Sequence, residues 1–287
     1  MSTSKLNPNS SLKAADSSLE LSEEDFLFFC ETIEEKAGIS LKASKQDLVK
    51  TRLRSCLSSK EFNSYSEYRH YLEKLPLNHQ DWQYFINLLT TNKTDFFREK
   101  KHFDYILSTI LPNWLKSKSK NFRAWSAASS SGEEAYTLAM LLDRHMPKDR
   151  TFQILGTDID SEVINFAKNA VYPFERSYEI PQEYHSCLDF GHGSIENWFR
   201  IKNNVKSHVS FEQHNLITSG LPSQEKFDLV LCRNVLIYFA PYTIQKVSNK
   251  LFEATKSQEF LCIGHSESLQ GIEHFWISTG PSIFKKN

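Results

Sequence analysis

The stretch from Asn121 to Asp160, NFRAWSAASSSGEEAYTLAMLLDRHMPKDRTFQILGTDID, constrains the fold more than any other part of the chain. It reads as strand, small-residue loop, helix, second strand and terminal acid. Phe122 to Ala128 is an aromatic and small-apolar run long enough for one buried parallel strand. Ser129, Ser130, Ser131 and Gly132 break that run. From Glu133 the apolar residues Ala135, Leu138, Ala139, Leu141 and Leu142 recur at helical spacing. Glu133 and Glu134 fall in the first turn, where the helix macrodipole favours acids. The second strand, Phe152 to Thr157, ends at Asp158. Side chains at the carboxyl ends of parallel strands face the ligand crevice, so Asp158 is placed to hydrogen-bond ribose hydroxyls.

This is the first half of a Rossmann-like nucleotide site, with one departure. A dinucleotide site uses G-x-G-x-x-G so that a pyrophosphate can approach the backbone. Here one glycine, Gly132, follows three serines. A loop with one glycine, followed by Glu133 and Glu134, repels phosphate and can receive the cationic or hydroxyl groups of another adenosine ligand. S-adenosylmethionine, with a sulfonium, an ammonium and a ribose but no phosphate, fits that description. The missing glycines oppose an NAD-dependent dehydrogenase. On this stretch alone, an α/β crossover with no ligand fits equally well.

A chain of 287 residues accommodates one large domain and a smaller one. No apolar run approaches the roughly 20 residues of a membrane span. The opening MSTSKLNPNSSLKAADSSLELS lacks the apolar core of a secretory signal, and its serine-rich polarity predicts a disordered tail over residues 1–20. Cys30, Cys56, Cys187, Cys232 and Cys262 are scattered singly, which points to a reducing cytoplasm and offers no zinc spacing. The unevenly placed His185, His192 and His208 likewise read as surface imidazoles, so no metal site is expected. A net charge of -1 argues against nucleic-acid binding through an overall positive field.

The region 21–90 reads as an all-helical domain. Leu21, Ser22, Asp25 and Phe26 form a helix start, with Ser22 as N-cap and Leu21 and Phe26 as the flanking staple. Further helices are predicted at Lys45 to Leu57, Ser64 to Leu75 and Asp81 to Thr90. Seven basic residues between Lys36 and Lys60 (Lys36, Lys42, Lys45, Lys50, Arg52, Arg54 and Lys60) oppose one acid, Asp47. They form either a solvated face or a dock for an acidic helix. In the remaining region, 91–287, TTNKTDFFREKKHF holds Arg98 beside the anchors Phe96 and Phe97, poised to orient a carboxylate or to make a salt bridge. A helix follows Asp158. Short alternating runs at about 185–212 predict a small antiparallel β insertion, and insertions of this kind often carry partner binding. Phe227 to Cys232 is a buried strand that delivers Arg233, Asn234 and Tyr238 to the crevice. A helix, the strand EFLCIG, the loop HSESL and a last strand around Trp276 to Phe284 complete the sheet, and that last strand can run antiparallel.

The motifs TTNKTDFFRE, SAASSSGEEAYTLAM, TDIDSEVI, FDLVLCRNVLIYF and IGHSESL stand in one order over about residues 20 to 284. Together they resemble the CheR-type chemotaxis receptor methyltransferases. The resemblance implies an α/β class I methyltransferase sheet behind an N-terminal helical domain. It implies methyl transfer from S-adenosylmethionine to glutamate side chains of chemoreceptors, giving glutamate methyl esters. On matching positions the cofactor would be held by Asn92, Thr94, Arg98, Glu133, Asp158, Asn215, Leu216, Arg233 and Asn234. Arg98 and Tyr238 would stand nearest the transferred methyl. The basic helical domain, through Lys45, Lys50, Arg52 and Arg54, would meet the acidic receptor bundle, and the β insertion would grip a receptor tail. Ala135 stands where proline commonly follows the GEE motif, and Ser130 and Ser131 where a Ser-Thr pair is usual. The other reading is a non-catalytic S-adenosylmethionine-binding regulator or scaffold.

Overall fold

A computed structural model of the chain describes residues 19–287. The disordered tail expected over residues 1–20 lies outside the described residues except for its last two positions. The chain divides into two compact units, a smaller one that ends at Glu35 and resumes over Ser40–Leu89, and a larger one of Lys36–Ile39 with Thr90–Asn287.

The smaller unit is helical: α1 (Glu23–Ala37, its last two residues counted with the larger unit), α2 (Gln46–Ser59), α3 (Tyr65–Glu73) and α4 (Gln80–Leu89). Ser22 caps α1 as its sequence requires, its Oγ accepting from the Asp25 N–H at 3.1 Å. The buried Asp25 carboxylate then accepts from Ser22 and from Ser66 of α3, so one capping acid ties two helices. Phe29, Ile33, Val49, Leu53, Tyr65, Tyr68, Leu72 and Phe85 make the interior.

The larger unit begins its helices with α5 (Lys100–Tyr105) and α6 (Leu111–Leu115), joined by a π turn over Ile106–Ile110. In the sequence, the stretch after Arg98 reads as a single new helix through Leu107 and Leu111. Pro112 lacks an N–H and crowds the carbonyl four residues back, and the widened turn carries the chain past it. The α/β layers follow as β1 (Asn121–Ala127), α7 (Glu133–His145), β2 (Thr151–Asp158), α8 (Ser161–Asn169), β3 (Val171–Pro173), β4 (Leu188–Phe190), β5 (Trp198–Ile201), α9 (Asn203–Lys206), β6 (Val209–Gln213), β7 (Phe227–Cys232), α10 (Pro241–Ala254), β8 (Thr255–Ile263), β9 (Trp276–Gly280) and β10 (Ile283–Lys286). Seven strands form one sheet in the order β6-β2-β1-β7-β8-β10-β9. The pairs among β6, β2, β1, β7 and β8 are parallel, and β10 runs antiparallel to β8 and β9. Every residue of β7 is buried, which is why its sequence is an unbroken apolar run around Asp228.

Two expectations need correction. The β insertion is a three-stranded sheet, β3-β5-β4, within residues 171–201, and not the segment about 185–212. Val209–Gln213 instead joins the main sheet, with Val209 opposite Ile154. On this edge strand only Phe211 is buried, so its alternation imitates a strand of a small antiparallel sheet. The chain end, read as one strand from Trp276 to Phe284, is the β9–β10 hairpin, turning at Pro281 and Ser282, the latter at φ 57°.

Gly156 of β2 illustrates how tightly the edge is packed. A Cβ added there would stand 2.5 Å from the Phe211 ring. Gly156→Ala is therefore expected to lower the unfolding free energy by about 1–3 kcal/mol. Urea unfolding followed by tryptophan fluorescence checks this, and a stability equal to wild type would contradict the packing.

Candidate functional site

The carboxyl ends of four parallel strands deliver their next residues to one cleft. Ala128 and Ser130 follow β1, Asp158 and Ile159 end β2, His214, Asn215 and Leu216 follow β6, and Arg233, Asn234 and Val235 follow β7. The segment Thr90–Asp95 with Arg98, together with Glu134, Tyr238, Phe239, Ala37 and Ile39, completes the lining, and all of these residues belong to the larger unit. The strand order reverses direction between β1 and β7, where open α/β sheets bind ligands.

Nine of the sequence's ten proposed site residues line this cleft: Asn92, Thr94, Arg98, Asp158, Asn215, Leu216, Arg233, Asn234 and Tyr238. Glu133 does not. Its carboxylate, 3% exposed, accepts from Ser131 Oγ at 2.7 Å and pairs with Arg176 at 3.0 Å, and burial pushes its carboxyl above the usual range. Its neighbour Glu134 lines the cleft instead. Successive helix residues point about 100° apart, so only one of the two acids can face the crevice. Arg176 lies 43 residues away, and nothing in the local pattern announces it as the partner of Glu133.

Arg233, 5% exposed, has the most constrained side chain of the site. One guanidinium nitrogen pairs with Glu134 at 2.8 Å, and the other with Glu99 at 3.1 Å while also donating to the Arg98 carbonyl. Glu99 further accepts from Asn234 Nδ2 at 3.1 Å and from the His265 N–H. A second acid, Glu267, accepts the backbone N–H groups of Asn234, Leu236 and Gly264. These bonds hold Asn234 at φ 60°. Phe97, Glu99, Ala128 and Ser130 also have positive φ, so five of the nine such non-glycine residues among the described residues lie in or beside the cleft. Each costs on the order of 1–3 kcal/mol and persists only where its surroundings over-determine it.

Asp158 sits at the floor, 7% exposed. Its carboxylate accepts from the Ser130 N–H at 2.8 Å and the Asp160 N–H at 3.0 Å. Burial outweighs these bonds and raises its carboxyl to about 6. Asp160, which the sequence reading did not single out, caps α8 and accepts from Thr90 Oγ and from Asn92 Nδ2 at 2.6 Å. The T-D-I-D run was its only signal. Asn215 uses its side chain locally, donating to the Lys36 carbonyl and accepting from Ile217 N–H, so it shapes the wall. Arg98 donates to the Lys93 carbonyl at 2.8 Å, and the Tyr238 hydroxyl makes no hydrogen bond among the described residues. His214, also missed, lines the cleft with its Nε2 buried and unpartnered, and burial pushes its imidazole down to about 4.

Glu134→Gln leaves the buried Arg233 with a single carboxylate. The expected loss is about 1–3 kcal/mol of unfolding free energy, read by urea denaturation. An unchanged midpoint would show that the pair carries no such weight.

Comparison with known proteins agrees with this geometry. Residues 92–282 match the model of the CheR methyltransferase SAM-binding domain, and residues 24–90 match that of the CheR methyltransferase all-alpha domain. A chemotaxis protein methyltransferase of Borreliella burgdorferi is 38% identical over 87% of this chain and 89% of its own length. Those of Escherichia coli and Salmonella typhimurium are 33% and 32% identical, over 93% of this chain and 92% and 91% of their own lengths. With both domain models in chain order and relatives matched over nearly their whole lengths, the chain belongs to the CheR methyltransferase family, whose cofactor is S-adenosylmethionine.

Proposed function

We propose that this protein transfers the methyl group of S-adenosylmethionine to glutamate side chains of chemoreceptors, giving glutamate methyl esters. The observation that carries this reading is the cleft at the ends of β1, β2, β6 and β7, where an arginine and a tyrosine share the lining with buried acids. The residues fit the cofactor: Asp158 and Glu134 disfavour phosphate but suit hydroxyl and ammonium donors, and Leu216, Val235 and Phe239 offer apolar contact to a base. Asn92, Thr94, Arg98, Asp158, Asn215, Leu216, Arg233 and Asn234 would hold it, with Glu134 lining the cleft where Glu133 was expected. When bound, S-adenosylmethionine supplies an electrophilic methyl group.

The chain's own task is positioning. A glutamate side chain, with a reference pKa of about 4.3, is already an anion at neutral pH and needs no general base. Arg98 presents that carboxylate through paired hydrogen bonds, and the hydroxyl of Tyr238 fixes the geometry around it. The receptor's acidic helices would meet Lys45, Lys50 and Arg54, while Arg52 already donates to the Leu89 carbonyl that ends α4. The β insertion exposes Val171, Tyr178, Ile195 and Trp198, which suits an apolar peptide tail. A cytoplasmic setting agrees with five free, buried cysteines, and among the described residues no helix is long and apolar enough to cross a membrane.

Incubation with methyl-labelled cofactor and receptor membranes should give receptor label that alkali releases. Absence of label would favour a binding-only regulator. Arg98→Ala should lower the rate on the order of 100-fold at saturating cofactor, and Tyr238→Phe about tenfold; unchanged rates would remove those roles. Asp158 accepts more strongly from ribose hydroxyls as the carboxylate than as the neutral acid. Affinity for S-adenosylhomocysteine is therefore expected to be full well above pH 6 and to fall as pH drops through about 6. Calorimetry should show a weaker, pH-independent affinity in Asp158→Asn, and an unaltered pH profile would exclude Asp158 from the contact.

A further inference from the structure

Behind the cleft, outside its lining, three side chains from separate places in the sequence converge. Glu99 precedes α5, His102 lies in its first turn, and His265 follows β8. One potential ligand atom from each lies within 4.8 Å of the others, and His102 Nδ1 stands 3.5 Å from Glu99 Oε2. The His102 and His265 rings meet edge to face at 4.6 Å between centroids.

A second, independent observation is the state of His102. It is 1% exposed, yet neither ring nitrogen has a hydrogen-bond partner. A neutral imidazole must carry one N–H, and leaving that donor and the opposite lone pair unmade in the interior is unfavourable. We propose that Glu99, His102 and His265 form a binding site for a zinc-class divalent cation.

The donor set, two imidazoles and a carboxylate, is that of open zinc sites, with bonds of about 2.0–2.1 Å and a fourth position for water. In a tetrahedron of that size the ligand atoms stand roughly 3.3 Å apart. The Glu99–His102 pair is already near that separation, and the exposed His265 side chain can rotate to close the third edge. Its exposure leaves the fourth position facing solvent. An ion on Glu99 Oε2 would share that oxygen with Arg233.

The test is titration of the full, metal-stripped chain with Co²⁺, then displacement by Zn²⁺. One ion per chain should bind with the visible absorption of four-coordinate cobalt and without thiolate charge transfer, as all five cysteines are buried. His265→Ala removes an exposed ring and keeps the backbone N–H that Glu99 accepts, so its metal-free melting temperature should equal wild type. Its cobalt affinity should fall at least tenfold, and zinc should raise the melting temperature of wild type only. Failure to bind, thiolate absorption, or equal affinity in His265→Ala would each overturn the site.

Discussion

A guanidinium buried to 5% exposure, held between two carboxylates, is the interaction on which the rest of the site depends. Burying a charge is costly unless it is paired and hydrogen-bonded. Here Glu134 at the start of α7 and Glu99 before α5 supply the pairing, and the Phe103 ring lies 5.4 Å from the guanidinium carbon. Residues 99, 134 and 233 are thereby fixed to one another, and Glu267 adds the loop after β8 by accepting three backbone N–H groups. Breaking one partner would leave an uncompensated charge, so this arrangement resists small displacements. Asn234, bonded to Glu99 and Glu267, is thereby held in a left-handed conformation.

From this brace the chemistry follows in steps. The turn after β7 is held open by Asn234, the serine loop presents Ser130 N–H to Asp158, and Asp160 ties the Thr90–Asn92 segment to α8. The result is a cleft lined by Asp158 and Glu134 that leaves the Tyr238 hydroxyl available. Methyl transfer to a carboxylate needs little more than placement, because its nucleophile is ionised at neutral pH. The absence of a general base among the proposed roles is thus consistent with the reaction.

Much of this was legible in the sequence, for a physical reason. Parallel strands buried on both faces read as continuous apolar runs, and the residues after them must face the crevice. Phe227 to Cys232 and the run ending at Asp158 therefore point to the cleft at the strand ends. What was hidden depends on long-range pairing. Glu133 and Glu134 are alike in composition and position, and only Arg176 on one side and Arg233 on the other distinguish them. The edge strand at Val209 resembled part of the insertion because one face is covered and the other is wet. The Glu99, His102 and His265 cluster has no spacing motif because the loop after β8 supplies its third member.

The most direct measurement of the central claim is the affinity of the Arg233→Lys variant for S-adenosylhomocysteine, by calorimetry beside a check of folded state by circular dichroism. Lysine keeps the charge but cannot span two carboxylates with a planar fork. A folded variant that binds at least tenfold more weakly is the expected result. Wild-type affinity in that variant would contradict the account, since the cleft would then keep its shape without the brace.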